Sequence, residues 1–308
     1  MRRHELSEEI VEKYLKAGDI VNKTLNKALN IVDEEAKVLK ICEELEREIE
    51  RLGAKPAFPV NVSINNIAAH YTSPIGDKTT IPRGSVVKVD VGAHINGYIV
   101  DAAISICLSP AYEEIARASR DALKEVSRVL RDGLNIGQLG SLIERKIKEY
   151  GVRPIKNLTG HLIDRYNLHA GKVIPNVSMR TREVVKCGEV YAIEPFATNG
   201  DGFVVETAHA FIFRLARFKK IKKFEDLVKF MKSIKFNFNG LPFSERWLSP
   251  SYPTPIIREY VRELLSRRVL EAYPVLIERK GGIVSQFEDT FIIMKGKAIP
   301  LARTLEIL

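Results

Sequence analysis

Asp90 and Asp101 stand in an otherwise apolar stretch of the sequence, VKVDVGAHINGYIVDA. Between them, Asn96-Gly97 is the preferred central pair of a two-residue type I′ hairpin turn. That turn places Gly92 opposite Asp101, so the two aspartates share one face of the hairpin as diagonal neighbours. Two carboxylates this close on a buried face repel each other, and burial adds to the cost of each charge. No lysine or arginine lies between them, so a metal ion is the simplest source of the positive charge that the pair needs.

A three-residue turn would instead point the two aspartates to opposite faces, where each would only cap the backbone or be solvated. The hairpin alone leaves these two interpretations about equal. Three more polar residues in apolar surroundings favour the metal: His161 in NLTGHLI, Glu194 in VYAIEP and Glu288 in SQFEDTFII. Each of them alone is more often a hydrogen-bonded core residue than a ligand. Together, four carboxylates and one imidazole suit a pair of Mn²⁺, Fe²⁺, Co²⁺ or Zn²⁺ ions, which at about 3.5–4 Å from each other activate water against a peptide or phosphate bond.

The elements that must position these residues follow from hydrophobic periodicity. Residues 7–52 predict two amphipathic helices, Ser109-Pro110 begins another that ends near Gly133, and a fourth covers about 137–150. Short strands are predicted within 57–108, within 188–214, and again towards the C-terminus. Residues 216–272 have helical period. We therefore predict one α+β domain, 1–215 and 273–308, that carries a helical insertion subdomain at 216–272.

Composition limits the class of protein. The chain has 308 residues, of which 45% are hydrophobic and 28% charged, as in soluble globular proteins. It has no signal-peptide pattern and no apolar run of the length that spans a membrane. Cys42, Cys107 and Cys187 share no metal-ligand or disulfide spacing, which favours a reducing, cytoplasmic location.

The formal charge of +9 has two interpretations. It fits an acidic partner such as nucleic acid, or simply a well-solvated basic surface. The densest basic run is RLARFKKIKK, residues 214–223. His4 and His94 belong to no motif, and we predict that both are surface residues.

The ordered set Asp90, Asp101, His161, Glu194 and Glu288 resembles the ligand set of the methionine aminopeptidase and prolidase superfamily, which has the pita-bread fold. Four longer motifs resemble type 2 methionine aminopeptidases: FPVNVSINNIAAHYTSP, TGHLIDRYNLHAGKVIPNV, AIEPFATNGDG and YPVLIERKGGIVSQFEDT. The helical block between His209 and Tyr273 is similar too, since an insertion at that place separates type 2 from type 1. The resemblance implies a curved antiparallel sheet covered by helices, with two divalent ions at its centre.

The resemblance also implies residue roles. Asp90 would bind one ion, Asp101 and Glu288 would bridge both, and His161 and Glu194 would hold the other. Glu194 would also accept a proton from the attacking water. His70 would contact the amino end of the substrate and help to stabilise the tetrahedral intermediate, and His169 would hydrogen-bond the scissile peptide. The pocket for the methionine side chain would draw on Phe58, Leu168, His209 and Tyr273.

The activity that the resemblance implies is removal of the initiator methionine from nascent proteins whose second residue is small, by a cytoplasmic monomer. Docking on the ribosome through the basic surface would be compatible with it. One alternative is a prolidase or aminopeptidase P acting on Xaa-Pro bonds, although those proteins generally carry a separate N-terminal domain. Another is a non-catalytic pita-bread protein that binds RNA or proteins. Two departures from the family pattern, Ala102-Ala103 and Leu162-Ile163-Asp164, concern the surroundings of the ligands.

Overall fold

A computed structural model describes residues 6–218 and 225–307 of the chain. Its helices agree with the predicted periodicity, and two of them precede the first strand. In chain order the α-helices are α1 (Glu8–Ile31), α2 (Val38–Arg51), α3 (Glu113–Val129), α4 (Ile136–Lys148), α5 (Glu225–Phe238) and α6 (Thr254–Ser266). Three short 3₁₀ helices cover Pro110–Tyr112, Glu245–Leu248 and Thr304–Glu306.

The strands are mostly short, and every pair between them is antiparallel in the part of the chain that the structure describes. In chain order they are β1 (Lys55–Pro56), β2 (Asn61–Ile64), β3 (Ile67–Ala69), β4 (Val86–Ile95), β5 (Tyr98–Cys107), β6 (Arg153–Pro154), β7 (Thr159–Ile163), β8 (Val173–Pro175), β9 (Val190–Ile193), β10 (Phe196–Thr198), β11 (Val204–Leu215), β12 (Phe243–Ser244), β13 (Leu270–Glu278), β14 (Val284–Gln286), β15 (Asp289–Met294) and β16 (Lys297–Pro300).

The central hairpin has the predicted two-residue turn. Asn96 and Gly97 both have positive φ angles, 52° and 87°, as a type I′ turn requires. The register of β4 and β5 places Gly92 opposite Asp101. Because the register has no bulge between the turn and Asp101, Asp90 and Asp101 lie on the same face of the hairpin.

An isolated bridge connects the hairpin to the second half of the chain. Ala103 and Glu288 exchange backbone hydrogen bonds of 3.3 and 2.9 Å. β15, which follows Glu288, lies in a five-stranded sheet of order β16-β15-β9-β7-β8. His161 lies on β7 of this sheet, and Glu194 is the residue that directly follows β9 of the same sheet. The bridge therefore brings all the predicted ligands to the place where the two sheets meet.

The helices cover the sheets and enclose the main core. α1 packs against β4 and β5, and α3 packs against α4, β10 and β14. The apolar faces of α1 and α2, with residues such as Val21, Leu25, Ile41 and Leu45, are fully buried. The apolar residues that repeat with helical period in the sequence are thus those that pack against the sheets carrying the predicted ligands.

α5, β12 and α6 lie between β11 and β13 in the chain, and they bury an apolar cluster of their own. Its fully buried members include Phe230, Met231, Phe243, Ile257 and Leu264. β12 pairs with β11, so the block is attached to the sheet edge. Among the helices that the structure describes, none combines the length and apolar character needed to cross a membrane.

The prediction for His94 is wrong. The side chain is 8% exposed, because its Nδ1 accepts the Gly97 backbone N–H at 3.1 Å and its ring packs against Tyr166. Burial, and then the charge of Lys55, lower the pKa of His94 to about 4, so the ring is neutral. His4 lies outside the described residues, as do residues 219–223 of the basic run.

Candidate active site

The five predicted ligands line one small cavity. Its volume is about 60 Å³, and the lining includes Asp90, Asp101, His161, Glu194 and Glu288. Asp90 and Asp101 come from the central hairpin, His161 from β7, and the two glutamates from positions just after β9 and just before β15. Separate sheets therefore supply one acidic surface around a single space.

The side-chain atoms are close enough to share an ion. His161 Nε2 lies 3.5 Å from Asp101 Oδ2 and 3.8 Å from Glu194 Oε1. Ligand atoms of Asp101, His161 and Glu288 all lie within 4.8 Å of one another. These separations exceed a hydrogen bond and correspond to donors arranged around a common centre.

Two buried carboxylate oxygens test whether the site fits a cation. Asp90 Oδ1 and Asp101 Oδ1 have no hydrogen-bond partner among the described residues. A buried acceptor without a partner is costly, and a divalent cation would satisfy both oxygens. The donor set, rich in carboxylate oxygen and with one imidazole nitrogen, is of the kind that Mn²⁺, Fe²⁺, Co²⁺ and Zn²⁺ accept. The residues therefore fit such a group.

The electrostatics of the cluster agree with that fit. Burial raises the pKa of Asp101 to about 7. Burial, followed by the charge of Asp101, raises the pKa of Asp90, Glu194 and Glu288 well above their usual range. Burial lowers the pKa of His161 to about 4, so its ring is neutral and keeps a lone pair for a ligand bond. A cation bound among these side chains would favour the ionised form of each carboxylate.

Gln286 orients two of the carboxylates, and the sequence reasoning missed it. Its Nε2 donates to Glu288 Oε2 at 3.0 Å and is 3.5 Å from Glu194 Oε2. Its backbone N–H and C=O are both bonded to the Ser105 hydroxyl. The alternation Gln-Phe-Glu in SQFED was the available signal, since residues two apart in an extended segment point to the same side.

Thr290, on β15 of the neighbouring sheet, supports Asp101. The Asp101 N–H donates to Thr290 Oγ1 at 2.8 Å, and that hydroxyl donates to the Asp101 carbonyl at 2.7 Å. The sequence lacks a hydroxyl residue immediately after Asp101, where it has Ala102-Ala103. A hydroxyl from β15 therefore supports the backbone of this ligand.

The opposite wall of the cavity is apolar and aromatic. It includes Phe58, Leu168, Ile212, Pro242 and Tyr273. Three of the predicted substrate residues, Phe58, Leu168 and Tyr273, thus face the same space as the carboxylates. The cavity therefore has an apolar, aromatic wall opposite its carboxylates and imidazole.

Two histidines lie at the border between this cavity and an outer one. The outer cavity has a volume of about 280 Å³ and shares His70, His161, His169 and Glu194 with the inner one. The His169 ring lies 4.4 Å from the His161 ring, centroid to centroid. His70 has a φ of 65°, and its Nδ1 is 3.1 Å from the Pro274 carbonyl oxygen. A chain that enters through the outer cavity would pass both rings.

Comparison with known proteins decides the family. The profile of metallopeptidase family M24 matches residues 12–229. The chain belongs to family M24. It is 45% identical over 299 residues to a methionine aminopeptidase of Saccharolobus solfataricus, covering 96% of this chain and 98% of that protein. It is 41% identical over 285 residues to a methionine aminopeptidase of Thermococcus onnurineus, covering 92% and 96%.

Solved structures agree on the fold. A structure of a thermophilic Arx1 superposes with a TM-score of 0.84 at 21% identity, covering 96% of this chain and 91% of that one. A methionine aminopeptidase from Thermotoga maritima gives a TM-score of 0.70 at 20% identity, covering 97% and 98%. The predicted α+β pita-bread fold is confirmed by these M24 neighbours.

One predicted pocket residue of this M24 chain lies elsewhere. His209 is exposed and stacks on Phe211. It lines a different cavity and is not among the residues that line the inner one. The register between β11 and β13 shifts between Glu206 and Ala210. The structure therefore does not bring His209 into the cavity that the carboxylates line.

Proposed function

We propose that this protein is a methionine aminopeptidase that removes the initiator methionine from new proteins whose second residue is small. One observation carries the proposal: a cluster of four carboxylates and one imidazole shares a small cavity with an apolar, aromatic wall. The first half of that arrangement suits peptide hydrolysis, and the second suits a single unbranched apolar side chain. The relatives of known activity match it over nearly their whole length.

The site would hold two divalent ions. Asp90, Asp101, His161, Glu194 and Glu288 would supply the ligand atoms. When bound, such a pair lowers the pKa of a water and polarises the scissile carbonyl. Co²⁺, Mn²⁺, Fe²⁺ and Zn²⁺ all accept these donors, so cellular supply decides which is used.

Glu194 is the residue best placed to accept and return a proton. A carboxylate in this position is the kind of group that serves as a general base. It borders both cavities, and so lies where the inner slot meets the path of the peptide. Gln286 holds one of its oxygens and leaves the other facing His161.

His70 and His169 would contact the substrate backbone. The neutral His70 ring donates from Nδ1 to the Pro274 carbonyl, so its Nε2 is an acceptor. An acceptor suits an N–H group of the substrate better than a developing oxyanion. We therefore assign His70 to the amino end of the substrate rather than to the oxyanion, and His169, beside His161, to the scissile peptide.

The inner cavity has about the volume of one side chain. A water-sized group needs about 10–15 Å³, so the cavity volume of about 60 Å³ has room for only a few such groups. A thioether chain is flexible and polarizable and packs well against aromatic rings. Phe58, Leu168 and Tyr273 would supply those contacts, while the outer cavity receives the second residue.

The subtype and the division of the chain belong to the same proposal. We assign the protein to type 2, because a helical block with its own apolar cluster stands between β11 and β13. In this division residues 1–215 and 273–308 form the catalytic domain and 216–272 the insertion subdomain. Pro242, from the block, reaches the inner cavity, so the insertion contributes to the slot.

A peptide assay tests the activity. Metal-stripped protein is supplied with Mn²⁺ or Co²⁺ and incubated with Met-Ala-Ser, Met-Leu-Ser and Ala-Pro peptides. We expect metal-dependent release of methionine from Met-Ala-Ser alone. Cleavage of only the Ala-Pro peptide would assign the protein to the prolidases. No cleavage with any metal would favour a non-catalytic binding protein and lead to an RNA-binding assay.

A cytoplasmic monomer that meets nascent chains at the ribosome completes the proposal. The formal charge of +9 supports contact with ribosomal RNA, because phosphate contacts dominate such affinity. Co-sedimentation with ribosomes should weaken steeply as salt rises. If ribosome association does not depend on salt, or is absent at low salt, the proposed ribosome contact is wrong. The proposed peptidase activity does not depend on that result.

A further inference from the structure

A buried ion pair joins the helical block to α2. Arg246 donates from Nη1 and Nη2 to the Glu46 carboxylate at 2.8 and 2.9 Å, in the bidentate geometry that makes such pairs strong. The side chains are only 6% and 9% exposed. Neither residue lines the inner cavity. Their other hydrogen bonds, however, lead to segments that do.

Glu46 fixes the segment that carries Phe58. Its Oε1 accepts the backbone N–H of Val60 at 3.1 Å. Val60 is fully buried and lies between Phe58 and Asn61, both of which line the inner cavity. A shift of the carboxylate would therefore move the backbone that positions the Phe58 ring.

Arg246 fixes the segment that follows His70. Its Nε donates to the Ser73 carbonyl at 2.5 Å, and its Nη2 donates to Thr72 Oγ1 at 3.0 Å. Thr72 and Ser73 are fully buried, and His70 lies only two residues before them. The guanidinium thus holds the end of a second wall of the cavity.

Trp247 completes the set of bonds from the helical block. Its Nε1 donates to Glu46 Oε2 at 2.9 Å, and its ring packs against Phe238. The same block supplies Pro242, which lines the inner cavity. Three walls of the cavity therefore meet at one ion pair, which we call the Glu46–Arg246 clasp.

We propose that the Glu46–Arg246 clasp sets the shape of the methionine slot and so determines how strictly the enzyme selects its first residue. The inference rests on the proposed function, since it names the specificity control of that same site. Both residues are positioning residues that act through Phe58, His70 and Pro242. A substituted partner leaves the other charge buried without compensation, and the walls rearrange to solvate it.

The test compares Glu46→Gln with the apolar double variant Glu46→Leu/Arg246→Met. The double variant keeps the fold testable, because replacing a buried ion pair with apolar residues is often tolerated. Kinetics are measured on Met-Ala-Ser, norleucine-Ala-Ser and Leu-Ala-Ser, and metal content by mass spectrometry. In both variants we expect KM for Met-Ala-Ser to rise about tenfold and the preference for Met over Leu to fall about tenfold. Both should keep kcat and metal content near those of the wild type.

Glu278→Gln is the matched control. Glu278 is equally buried, at 1% exposed, and accepts the backbone N–H groups of Asp201, Lys280 and Gly282. None of these residues lines the inner cavity. This variant makes the same chemical change at another buried glutamate that anchors backbone N–H groups, away from the inner cavity. Its KM and first-residue preference should stay at wild-type values. Wild-type KM and preference in both Glu46→Gln and the double variant would overturn the clasp.

Hydrogen exchange separates failure of the clasp from failure of the proposed function. If the wild-type protein cleaves no Met peptide with any metal, the proposed function falls. The clasp is then judged on the backbone amides of Phe58, Val60 and Asn61 and of residues 70–73. Faster exchange there in Glu46→Gln, but not in Glu278→Gln, would uphold it as the determinant of cavity shape, and unchanged exchange would overturn it. Trp247, the single tryptophan of the chain, gives a second readout, since loss of its bond to Glu46 should shift its emission.

Discussion

Gln286 donates its side-chain amide to Glu288, two residues further along the same segment, at 3.0 Å. The same nitrogen lies 3.5 Å from Glu194, so one amide orients carboxylates that adjoin two neighbouring strands, β9 and β15. Partners of this kind tune metal affinity although they never touch the metal.

Gln286→Leu should therefore weaken metal binding about 10- to 100-fold while leaving the fold intact, because leucine has nearly the same volume. Isothermal titration of the metal-stripped protein with Mn²⁺ gives the affinity. Gln138→Leu is the control, since the other glutamine of the chain lies exposed on α4. Equal affinity in the two variants would mean that the amide has no role in ligand orientation.

Asp90→Asn and Glu288→Ala should each abolish activity together with metal loading. Asp90 has a further consequence: in the metal-free protein its carboxylate is buried beside Asp101 at a cost. We expect metal-free Asp90→Asn to gain about 1 kcal/mol in free energy of unfolding and to lose the rise in Tm that metal gives the wild type. Activity in a metal-free Glu288 variant would contradict the proposed mechanism.

His70→Ala should lower kcat about a hundredfold with metal content unchanged. Part of any effect could come from the backbone, because His70 has a φ of 65°, where alanine costs about 1 kcal/mol. His70→Asn separates the two causes, since asparagine tolerates that conformation. Both variants should be equally impaired in turnover while only His70→Ala is less stable. Turnover restored by asparagine would show that the backbone, and not the imidazole, is what matters.

His94 should make stability depend on pH. Its pKa lies at about 4 in the folded protein, below its ordinary value of 6.5. Stability from the neutral ring is therefore complete above pH 6.5 and is lost as pH falls through 4, because the unfolded chain takes up the proton first. From pH 7 to pH 5 the loss should be about 2 kcal/mol. Chemical denaturation of the wild type and of His94→Asn, whose amide oxygen can still accept the Gly97 N–H, measures it. An equal loss in both proteins would exclude His94 as the cause.

Gly92→Ala should narrow the methionine slot. A Cβ at this position would lie 2.2 Å from Phe58 Cε1, so the ring that lines the inner cavity must move. We expect KM for Met-Ala-Ser to rise about tenfold with little change in metal content. Adding Phe58→Leu to Gly92→Ala removes the clash. It should recover stability without restoring the preference for methionine, and a double variant no more stable than Gly92→Ala would place the strain elsewhere.

The features that could be predicted from the sequence are those that depend on neighbouring residues. Asn96-Gly97 fixes the turn, the turn fixes the register, and the register brings Asp90 and Asp101 to one face. His94 shows the limit of this reasoning, because its burial depends on Tyr166 and on an N–H within the turn itself. His209 shows another, because the local pattern of β11 does not indicate which cavity its side chain lines. The bonds between Glu46 and Arg246 join residues 200 positions apart, and no local propensity refers to them.

The bridge between Ala103 and Glu288 has a consequence for how the protein matures. The hairpin of β4 and β5 can form from neighbouring residues, but alone it offers only two of the five ligands. The other three predicted ligands lie on or beside β7, β9 and β15, far away in the sequence, and bringing them to the hairpin carries a loop-closure cost. A chain in which only the hairpin has formed lacks three of the five. We therefore expect peptidase activity to appear only once the walls that enclose the cavity are in place.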